Sequence, residues 1–271
     1  MKRDLILRVD SLIDGTRIRN RSHALEYIVS KYFKPKIHKA LILAGGEGVK
    51  MRPFTYELPK TMLPVKGRPI LEHILDLLRS HDIRELFVAL PSGSQGDKVK
   101  DHFGDGSKFG VKINYIIESR KMGTGGSLKN AISQIGTDPF ILIYSDVLAE
   151  LDLGDLIEFH LEASPVLTVA LTSVEDPTDY GVVRLHGDNI VEYKEKPRKS
   201  LSMSHLVSAG VYIVDHKILD FIPDKSVSSL EEDIVPKLIK NKKIKGYLFE
   251  GQWFDVGTPE IYQRAIKEWN N

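Results

Sequence analysis

Cysteine is absent from the 271 residues of this chain. Its absence excludes disulfide bonds, thiolate zinc sites and cysteine nucleophiles. The nine histidines are scattered, without the H-x-x-x-H spacing of a metal-binding pair on a helix. The longest apolar runs, at 40–44 and 140–144, are far shorter than a membrane span. The first residues lack the apolar stretch and cleavage site of a signal peptide, so we expect the protein to stay in the cytoplasm.

Charge is distributed unevenly along the chain, although the formal net charge is only +1. Residues 1–39 hold ten lysines and arginines against four acidic residues, a local net charge of +6, and the remainder is net acidic. Such asymmetry is typical of an appendage with a role of its own. We therefore predict a small basic N-terminal extension at 1–38 and one larger domain at 39–271.

The N-terminal extension is predicted to contain a strand at 5–9 (LILRV) and a helix at 21–33. This order resembles the last half of a ribbon–helix–helix DNA-binding unit. A complete unit needs another helix, for which the segment has little room. We therefore expect the extension to pack on the larger domain or on a second subunit rather than to bind nucleic acid, and self-association stays open.

The larger domain begins with short apolar runs that alternate with helical patterns, which is typical of a parallel sheet with crossover helices. Strands are predicted at 40–44, 85–90, 112–118 and 140–144, and helices at 69–81 and 126–135. Ligands of such sheets gather beyond the carboxyl ends of the strands. The pattern predicts an α/β fold with a doubly wound, mostly parallel, Rossmann-like sheet.

The second half of the domain has a different pattern, with few helices between its strands. Strands are predicted at 165–171, 181–186, 189–195 and 205–214. We interpret them as an antiparallel elaboration laid over the first half. A helix at 229–240, a strand-like segment at 247–256 and a helix after Pro259 complete the prediction.

A glycine-rich loop follows the first predicted strand. Gly45, Gly46 and Gly48 allow the backbone to turn sharply and to approach a ligand closely. The exposed N–H groups of such a loop can hold phosphate oxygens. Three cations follow the loop: Lys50, Arg52 and Lys60. Cations within reach of one anion favour a triphosphate over a neutral metabolite.

Two other glycine-rich motifs do not match this loop. A Walker A loop needs serine or threonine after its lysine, whereas Met51 follows Lys50. A dinucleotide-binding fingerprint needs a third glycine where Met51 stands. Neither a P-loop nor a dinucleotide site is therefore predicted.

The segment 41–71, LILAGGEGVKMRPFTYELPKTMLPVKGRPIL, resembles the signature of the sugar-phosphate nucleotidyltransferase family, which runs approximately LAGGxGTRLRPLTxxxPKxLxPVxxxP. The resemblance continues in the order of the family and covers about residues 38–268. Its further motifs are MGTGGSLKNA (122–131), YSDV (144–147), DYGVV (179–183), EKP (195–197), SAGVYI (208–213), SLEEDIVPKL (229–238) and WFDVGTPE (253–260). The family joins a sugar-1-phosphate to a nucleoside triphosphate and releases pyrophosphate, so we expect these two partners here.

The resemblance implies a magnesium site formed by Asp146 and Asp255. Two carboxylates supplemented by phosphate oxygens and water suit this hard cation. Taken singly, Asp146 could be a helix cap and Asp255 a turn residue. Their occurrence together inside family motifs favours the metal site.

The resemblance also assigns residues to the two substrates. It implies that Lys60 binds phosphate and that the glycines of the loop contact the nucleotide. Gly123 is expected against the base and ribose, where a side chain would collide. The residues expected at the sugar phosphate are Tyr180, Gly181, Glu195 and Lys196. For the last two the alternative is a solvated strand end, and Trp253 could equally be core or pocket wall.

The chain departs from the family at one catalytic position. The GTR of the family is Gly48-Val49-Lys50 here, so a lysine replaces the usual arginine. Lysine keeps the charge but loses the planar fork that holds two phosphate oxygens. Arg52 could partly compensate, and we expect activity to be reduced or shifted to another triphosphate.

The GTGGSLKNA motif and the short chain most resemble the mannose-1-phosphate and heptose-1-phosphate guanylyltransferase branch. We therefore expect GTP and a manno-configured sugar. One alternative is a glucose-1-phosphate thymidylyl- or uridylyltransferase, with base choice determined near 89–94 and 118–123. An alternative of another class is a non-catalytic sugar-nucleotide sensor with a nucleic-acid-binding N-terminal arm.

Overall fold

A computed structural model describes residues 3–16, 18–33, 37–46, 48–198 and 203–270. It divides the chain into two compact units, Met1–Lys36 and Ile37–Asn271, which we call the N-terminal unit and the main domain. The division lies two residues before the predicted boundary. Among the described residues, no helix combines the length and the apolar character needed to cross a lipid bilayer.

The N-terminal unit contains two helices, α1 (Arg3–Asp10) and α2 (Arg21–Phe33). The prediction of a strand at 5–9 is therefore wrong, and the segment does have room for a second helix. A helix satisfies its backbone N–H and C=O groups internally, whereas a lone strand would leave them unpaired. The Arg21 guanidinium donates to both carboxylate oxygens of Asp10, at 2.5 and 2.7 Å, and so joins the two helices.

The main domain contains strands and helices in nearly the predicted order. Its strands are β1 (Lys39–Leu43), β2 (Pro64–Val65), β3 (Arg68–Pro69), β4 (Glu85–Pro91), β5 (Lys112–Glu118), β6 (Phe140–Tyr144), β7 (Val147–Ala149), β8 (Leu167–Ser173), β9 (Gly181–His186), β10 (Asn189–Glu195), β11 (Leu206–Val214), β12 (Ile244–Leu248) and β13 (Trp253–Asp255). Its helices are α3 (Ile70–Ser80), α4 (Ser94–Phe103), α5 (Gly123–Ile135), α6 (Leu153–Ala163), α7 (Val235–Lys240) and α8 (Pro259–Glu268). A π-helical turn, Leu230–Ile234, precedes α7.

Nine strands form one sheet, in the order β5-β4-β1-β6-β11-β8-β12-β10-β9. The strands β5, β4, β1 and β6 are parallel, as predicted. The remainder is mixed: β11 runs antiparallel to both β6 and β8, whereas β12 is parallel to β8. The prediction of a mostly parallel sheet therefore holds only for the first half. An apolar strand pattern reports burial but not the direction of its partner.

The antiparallel strands extend the same sheet rather than lie over it, which corrects the predicted arrangement. Strand β9 pairs with β10 and, through Val182 opposite Val207, also with β11. The second half of the sheet therefore curls back on itself. The predicted segment 247–256 is divided between β12, in this sheet, and β13, which pairs with β7 in a separate ribbon.

Both faces of the sheet are covered, which agrees with a doubly wound fold. Alternate residues of β1 enter two different cores: Ala40 and Ile42 enter one, and Leu41 enters the other. The first core contains apolar residues of α3, α4, α6 and α8. The second contains apolar residues of α5 and α7. Truncating one leucine of these cores to alanine would lower stability by about 2–5 kcal/mol.

Two helices, α4 and α6, were not predicted from the sequence. The start of α6 has a clear signal, because the Asp152 side chain accepts hydrogen bonds from the backbone N–H groups of Gly154 and Asp155, at 2.7 and 3.2 Å. Such a cap stabilises a helix by about 1 kcal/mol. The many charged residues of α4 hid its two buried apolar positions, Val99 and Phe103.

The buried side chain of His160, on α6, predicts a pH-dependent stability. Burial lowers its pKa from 6.5 to about 4, and its Nδ1 lies 2.8 Å from the Thr168 hydroxyl. The unfolded chain therefore binds more protons between these values, so stability is complete above pH 6.5 and falls as the pH decreases toward 4.

We expect His160 to lower the free energy of unfolding, measured with urea, by about 2 kcal/mol between pH 7.5 and pH 5.0. The variant His160→Asn can keep the hydrogen bond to Thr168 but does not titrate in this range. The free energy of unfolding of this variant should therefore differ less between pH 7.5 and pH 5.0 than that of the wild type. If the free energy of unfolding changed equally with pH in both proteins, His160 would not be the source of the pH dependence.

Candidate active site

The sheet forms a crevice at the carboxyl ends of β1 and β6, where the connections of these two strands lie on opposite faces of the sheet. Strands β1 and β6 are neighbours, with Leu43 opposite Tyr144 at their carboxyl ends. The connection after β1 packs α3 on one face, whereas the connection before β6 packs α5 on the other. Ligands of open α/β sheets bind outside such a switch point. The glycine loop follows β1 here, and Asp146 follows β6.

Four pockets adjoin at this edge, and we name them by their lining. The glycine pocket, of about 1070 Å³, is lined by Gly45, Gly46, Gly48, Lys60, Glu118, Gly123, Asp146 and others. The tyrosine pocket, of about 590 Å³, is lined by Asp146, Tyr180, Gly181, Tyr193, Glu195, Asp255 and others. The central pocket, of about 700 Å³, is lined by Lys50, Lys60, Asp146, Lys196, Asp255 and others. The outer pocket, of about 850 Å³, is lined by Gly45, Gly46, Arg52, Lys60 and others.

Every site residue singled out in the sequence lines at least one of the four pockets. Lys60 and Asp146 each line three of them, so the pockets meet at this pair. Their location supports the predicted roles, which stay predictions at this point.

The two aspartates are brought together by the ribbon of β7 and β13. Asp255 lies opposite Val147 in this antiparallel pair. The Val256 N–H then donates to the Asp146 carbonyl at 2.9 Å. Burial raises the pKa of the Asp255 carboxyl, and the nearby Asp146 raises it further. The two carboxylates therefore share one poorly solvated site.

Lys60 supplies the nearest positive charge to this site. Its Nζ forms a close ion pair with Asp146, and its side chain is only 15% exposed. Burial alone would lower the pKa of the Lys60 ammonium, but the attraction of Asp146 and Asp255 outweighs it, and the pKa is raised. Lys60 therefore stays protonated, and one ammonium faces two carboxylates.

The glycines of the loop differ in why they must be glycine. Gly48 has a left-handed φ of 60°, and a Cβ there would lie 2.8 Å from Thr55 Cγ2. A Cβ on Gly45 would lie 3.3 Å from Glu118 Oε2. A Cβ on Gly46 would meet nothing within 4 Å. Packing against neighbouring side chains thus explains why Gly48 and Gly45 are glycines. Gly46 has no such neighbour and borders open space in the glycine and outer pockets.

Lys50 and Arg52 do not share one pocket. The Lys50 ammonium lies 3.4 Å from Asp179 in an exposed ion pair and lines the central pocket. The Arg52 guanidinium lies 5.3 Å from the centre of the Tyr56 ring and lines the outer pocket. Lys60 is the cation that lines both. The three cations expected within reach of one anion are therefore divided between two pockets, with Lys60 common to both.

Gly181 makes room for the side chain of Tyr193. A Cβ at this position would overlap the hydroxyl of Tyr193. That hydroxyl donates to Glu195 Oε2 at 3.1 Å. Burial raises the pKa of the Glu195 carboxyl, and Glu231 raises it further. The glycine thus allows Tyr193 to orient Glu195 in the tyrosine pocket.

Lys196 has a left-handed backbone, with φ of 42°. Its N–H donates to the Tyr180 carbonyl at 3.0 Å, and its Nζ lies 3.3 Å from Glu195 Oε1. A lysine in this conformation is strained by about 1–2 kcal/mol, and such strain concentrates at functional sites. The conformation places Lys196 on the central and tyrosine pockets rather than along a regular strand end.

Gly123 also owes its identity to the protein itself. It has φ of 71°, and a Cβ would overlap the carbonyl oxygen of Ser228. The N–H groups of Gly125 and Gly126 donate to that same carbonyl, at 2.9 and 3.2 Å. The turn that opens α5 is therefore closed by the segment before the π-helical turn. This contact explains the glycine without the expected collision with a base or ribose.

Glu231 is a site residue to which sequence reasoning assigned no role. One oxygen of its carboxylate accepts from the Tyr144 hydroxyl. The other accepts from the hydroxyls of Thr124 and Ser229, each at 2.8 Å. Thr124 lines the glycine pocket and Glu231 lines the tyrosine pocket, so this carboxylate links the two. The only signal was its position inside SLEEDIVPKL.

Trp253 is a wall of the tyrosine pocket, which decides between the two alternatives for it. Its Nε1 donates to the Ala209 carbonyl at 3.0 Å. Its ring meets the Tyr180 ring edge-on, with centroids 5.2 Å apart. The indole therefore fixes Tyr180 while remaining partly exposed at the pocket.

A family model described as Nucleotidyl transferase matches residues 39–271. The chain belongs to the nucleotidyl transferase family. Mannose-1-phosphate guanylyltransferase of Mycobacterium tuberculosis is 33% identical over 229 residues, covering 83% of this chain and 63% of that protein. D-glycero-alpha-D-manno-heptose 1-phosphate guanylyltransferase of Aneurinibacillus thermoaerophilus is 31% identical over 230 residues, covering 85% of this chain and 97% of that protein. The chain spans about three fifths of the length of the first relatives that it matches.

Solved structures agree with the family assignment. The crystal structure of HddC from Yersinia pseudotuberculosis superposes with a TM-score of 0.74 at 26% identity, covering 86% of this chain and 100% of that chain. A second structure of HddC, complexed with GMP-PN, superposes with a TM-score of 0.72. The α/β architecture of the main domain is thus that of known nucleotidyl transferase relatives.

In this member of the nucleotidyl transferase family, Asp146 and Asp255 are residues that could hold a divalent cation. The described residues contain no group of three or more histidine or acidic side chains that could hold a metal on their own. Two carboxylates opposite a single ammonium nevertheless leave excess negative charge in a poorly solvated place. A hard divalent cation that completes its coordination with phosphate and water oxygens fits this donor set.

Proposed function

We propose that the main domain joins a sugar-1-phosphate to a nucleoside triphosphate, giving a nucleoside-diphosphate sugar and pyrophosphate. The observation that carries the proposal is the convergence of Asp146, Asp255 and Lys60 where the glycine, central and tyrosine pockets meet. A group-transfer reaction between two anionic substrates needs charge stabilisation at such a junction. Membership of the nucleotidyl transferase family supports the same reaction class.

The two substrates are assigned to different pockets. The nucleotide belongs in the glycine pocket, where Gly46 leaves space beside the glycine loop. The sugar belongs in the tyrosine pocket, where Glu195 and Glu231 can accept hydrogen bonds from hydroxyls. Lys196 lies between the tyrosine and central pockets, where it can neutralise the phosphate of the sugar.

The reaction is an in-line displacement at the α-phosphorus. A phosphate oxygen of the sugar-1-phosphate forms a bond to the α-phosphorus, and the bond from that phosphorus to the bridging oxygen of pyrophosphate breaks. The attacking oxygen is already anionic, so no strong general base is needed. Lys50 and Lys60 align and neutralise the phosphates. Mg²⁺ held by Asp146 and Asp255 would supply further charge neutralisation.

GTP and a manno-configured sugar-1-phosphate are the substrates we propose. Support comes from the names of the relatives, which act on mannose-1-phosphate or a manno-heptose 1-phosphate as guanylyltransferases. The competing assignment is a glucose-1-phosphate thymidylyl- or uridylyltransferase. The two differ in both the base and the configuration of the sugar.

A substrate panel tests the proposal. The full chain with Mg²⁺ is incubated with GTP, UTP, dTTP, CTP or ATP against mannose-1-phosphate, a manno-heptose 1-phosphate and glucose-1-phosphate, and pyrophosphate release is measured. Release that requires both substrates supports nucleotidyl transfer, and the best pair identifies them. Pyrophosphate release without any sugar phosphate, or from no pair, would refute the proposed function.

Restoring the arginine of the family at position 50 is expected to raise kcat/KM. A guanidinium can hold two phosphate oxygens where the Lys50 ammonium holds one, and one additional charge-assisted hydrogen bond corresponds to roughly tenfold. The Lys50→Arg variant should therefore show up to about a tenfold gain with the best substrate pair. Lys50→Gln should lose activity, and equal kcat/KM in all three proteins would show that Lys50 does not act on the phosphates.

A further inference from the structure

The helix α8 links the two segments of the chain that carry Asp255 and Lys60. It follows β13, whose last residue is Asp255, and the short turn that begins at Lys60 leads into β2. The Tyr262 hydroxyl, on α8, donates to the Pro64 carbonyl, on β2, at 2.8 Å. One hydrogen bond therefore joins the chain shortly after Asp255 to the chain shortly after Lys60.

The two residues that follow in and after β2 have ties to the same end of the chain. The indole N–H of Trp269 is only a donor, so the Nδ1 of His73 accepts from it, at 3.4 Å. The Nε2–H of His73 then donates to the Val65 carbonyl at 3.0 Å. The Lys66 ammonium donates to the Lys267 carbonyl at 3.0 Å. Three consecutive residues are thus held by α8 and the residue that follows it.

The side chains that make the inner ties lie away from the substrates. Tyr262, His73 and Trp269 are all buried. None of the three lines any of the four pockets. A buried tyrosine hydroxyl needs a hydrogen-bond partner, and here that partner is the backbone of the segment that carries Lys60. Any effect of these side chains on the reaction must therefore act through the position of other groups.

Lys60 is the group whose position depends on this segment. Its ammonium pairs with Asp146 and lines three pockets, so it must lie close to both carboxylates and phosphates. It begins a turn of three residues, which is closed by a hydrogen bond of 3.1 Å from the Leu63 N–H to the Lys60 carbonyl. So short a turn is positioned by the strand that follows it. A displacement of a charged group by about 1 Å can reduce a rate about a hundredfold.

We infer that Tyr262 is a positioning residue: by holding the backbone of β2, it holds Lys60 against the two carboxylates of the site. Its effect on turnover rests on the proposed function. The placement of Lys60 does not, because the strength of its interaction with the carboxylates can be measured as stability, without substrates.

Two double-mutant cycles test this inference. Tyr262→Phe removes the hydroxyl but keeps the ring, which meets Phe54 edge-on with centroids 5.7 Å apart. It is combined with Lys60→Met in the full chain. The free energy of unfolding in urea and kcat/KM with the best substrate pair are measured for wild type, both single variants and the double variant.

The two changes should not be additive if Tyr262 acts through Lys60. Tyr262→Phe alone should lower kcat/KM about tenfold, and it should have almost no further effect in the Lys60→Met background. Lys60→Met should in turn lose less stability in the Tyr262→Phe background than in wild type, since the displaced ammonium already interacts less with the carboxylates.

Tyr115→Phe is the matched control. The Tyr115 hydroxyl donates to the Gly104 carbonyl at 2.7 Å, and Tyr115 lines none of the four pockets. Its loss of stability should be similar to that of Tyr262→Phe, because the same kind of bond is removed. Its kcat/KM should stay at the wild-type value, and its effect on stability should add to that of Lys60→Met.

The outcomes separate this inference from the proposed function. Non-additivity in both unfolding and kcat/KM supports the inference. If no substrate pair is turned over, the proposed function fails, and non-additive free energies of unfolding still support the placement of Lys60 by Tyr262. Additive free energies of unfolding, wild-type kcat/KM in Tyr262→Phe, or an equal fold loss of kcat/KM with and without Lys60 would overturn the inference, because each describes a purely structural tyrosine.

Discussion

Replacing Asp255 by asparagine is expected to reduce turnover about a thousandfold while leaving the protein at least as stable as wild type. The loss of turnover follows from the proposed metal site, because asparagine offers a neutral oxygen in place of one of two carboxylates. The same loss is expected for Asp146→Asn. A factor of a thousand corresponds to about 4 kcal/mol of transition-state stabilisation.

The expected stability has a separate physical reason. Burial and the neighbouring Asp146 raise the pKa of Asp255 above its ordinary value. The folded chain therefore binds this proton more tightly than the unfolded chain, and stability decreases as the pH rises through the range between the two pKa values. Asparagine removes the buried charge, so the midpoint of thermal unfolding at neutral pH should be unchanged or higher.

Turnover by pyrophosphate release and thermal unfolding of the same preparations provide the measurement. Asp224→Asn is the control, since Asp224 is fully exposed in an ion pair with Lys129 and lines none of the four pockets. It should change neither quantity. Full activity in Asp146→Asn or Asp255→Asn would remove that residue from the metal site, and a lower unfolding midpoint in Asp255→Asn would contradict the account of its buried charge.

Replacing Lys60 by methionine is expected to reduce both activity and stability. The ammonium pairs with Asp146 and interacts with Asp255, so its removal leaves two carboxylates without a counter-charge. Breaking such a partly buried pair from one side lowers stability by about 3 kcal/mol. Turnover should fall at least about a hundredfold, because a charge aimed at the reacting phosphates is lost. Lys60 and Asp255 are thus expected to change stability in opposite directions although they lie in one cluster.

Urea unfolding and steady-state kinetics with a titration of Mg²⁺ measure these effects. Added Mg²⁺ should restore part of the stability of Lys60→Met, since it binds the same carboxylates. Lys245→Met is the matched control, because Lys245 forms a comparable pair with Asp188 at 2.8 Å and lines none of the four pockets. It should lose stability only and keep its turnover. Unchanged stability in Lys60→Met would show that Lys60 does not balance the two carboxylates.

Local patterns predicted much of the fold and one side of the site. The strands β1, β4, β5 and β6 were located from short apolar runs, because burial on both faces leaves a continuous apolar signal. The glycine loop after β1 and Asp146 after β6 follow from the same reasoning, since ligands gather where parallel strands end.

Contacts between distant segments could not be predicted from local sequence patterns. At Gly123 and Gly181 the packing of the protein itself requires glycine, because the Ser228 carbonyl and the Tyr193 hydroxyl occupy the space beside them. Ser228 lies far from Gly123 in the chain, and Tyr193 reaches Gly181 across the hairpin of β9 and β10, so both contacts exist only after folding. The strand predicted at 5–9 was wrong for a related reason, since strand formation depends on a partner, and this segment pairs as a helix with α2 instead.

By itself, the sequence determined the reaction class that we propose and the residues that surround it, because glycines, cations and acids at family spacing are local features of a chain. Only the tertiary structure decided that Asp255 lies beside Asp146, that the sheet is mixed and curls through β9, and that Ser228 lies against Gly123. These depend on which remote segments bury one another's apolar faces, and strand pairing is selected by that burial rather than by any short stretch of residues.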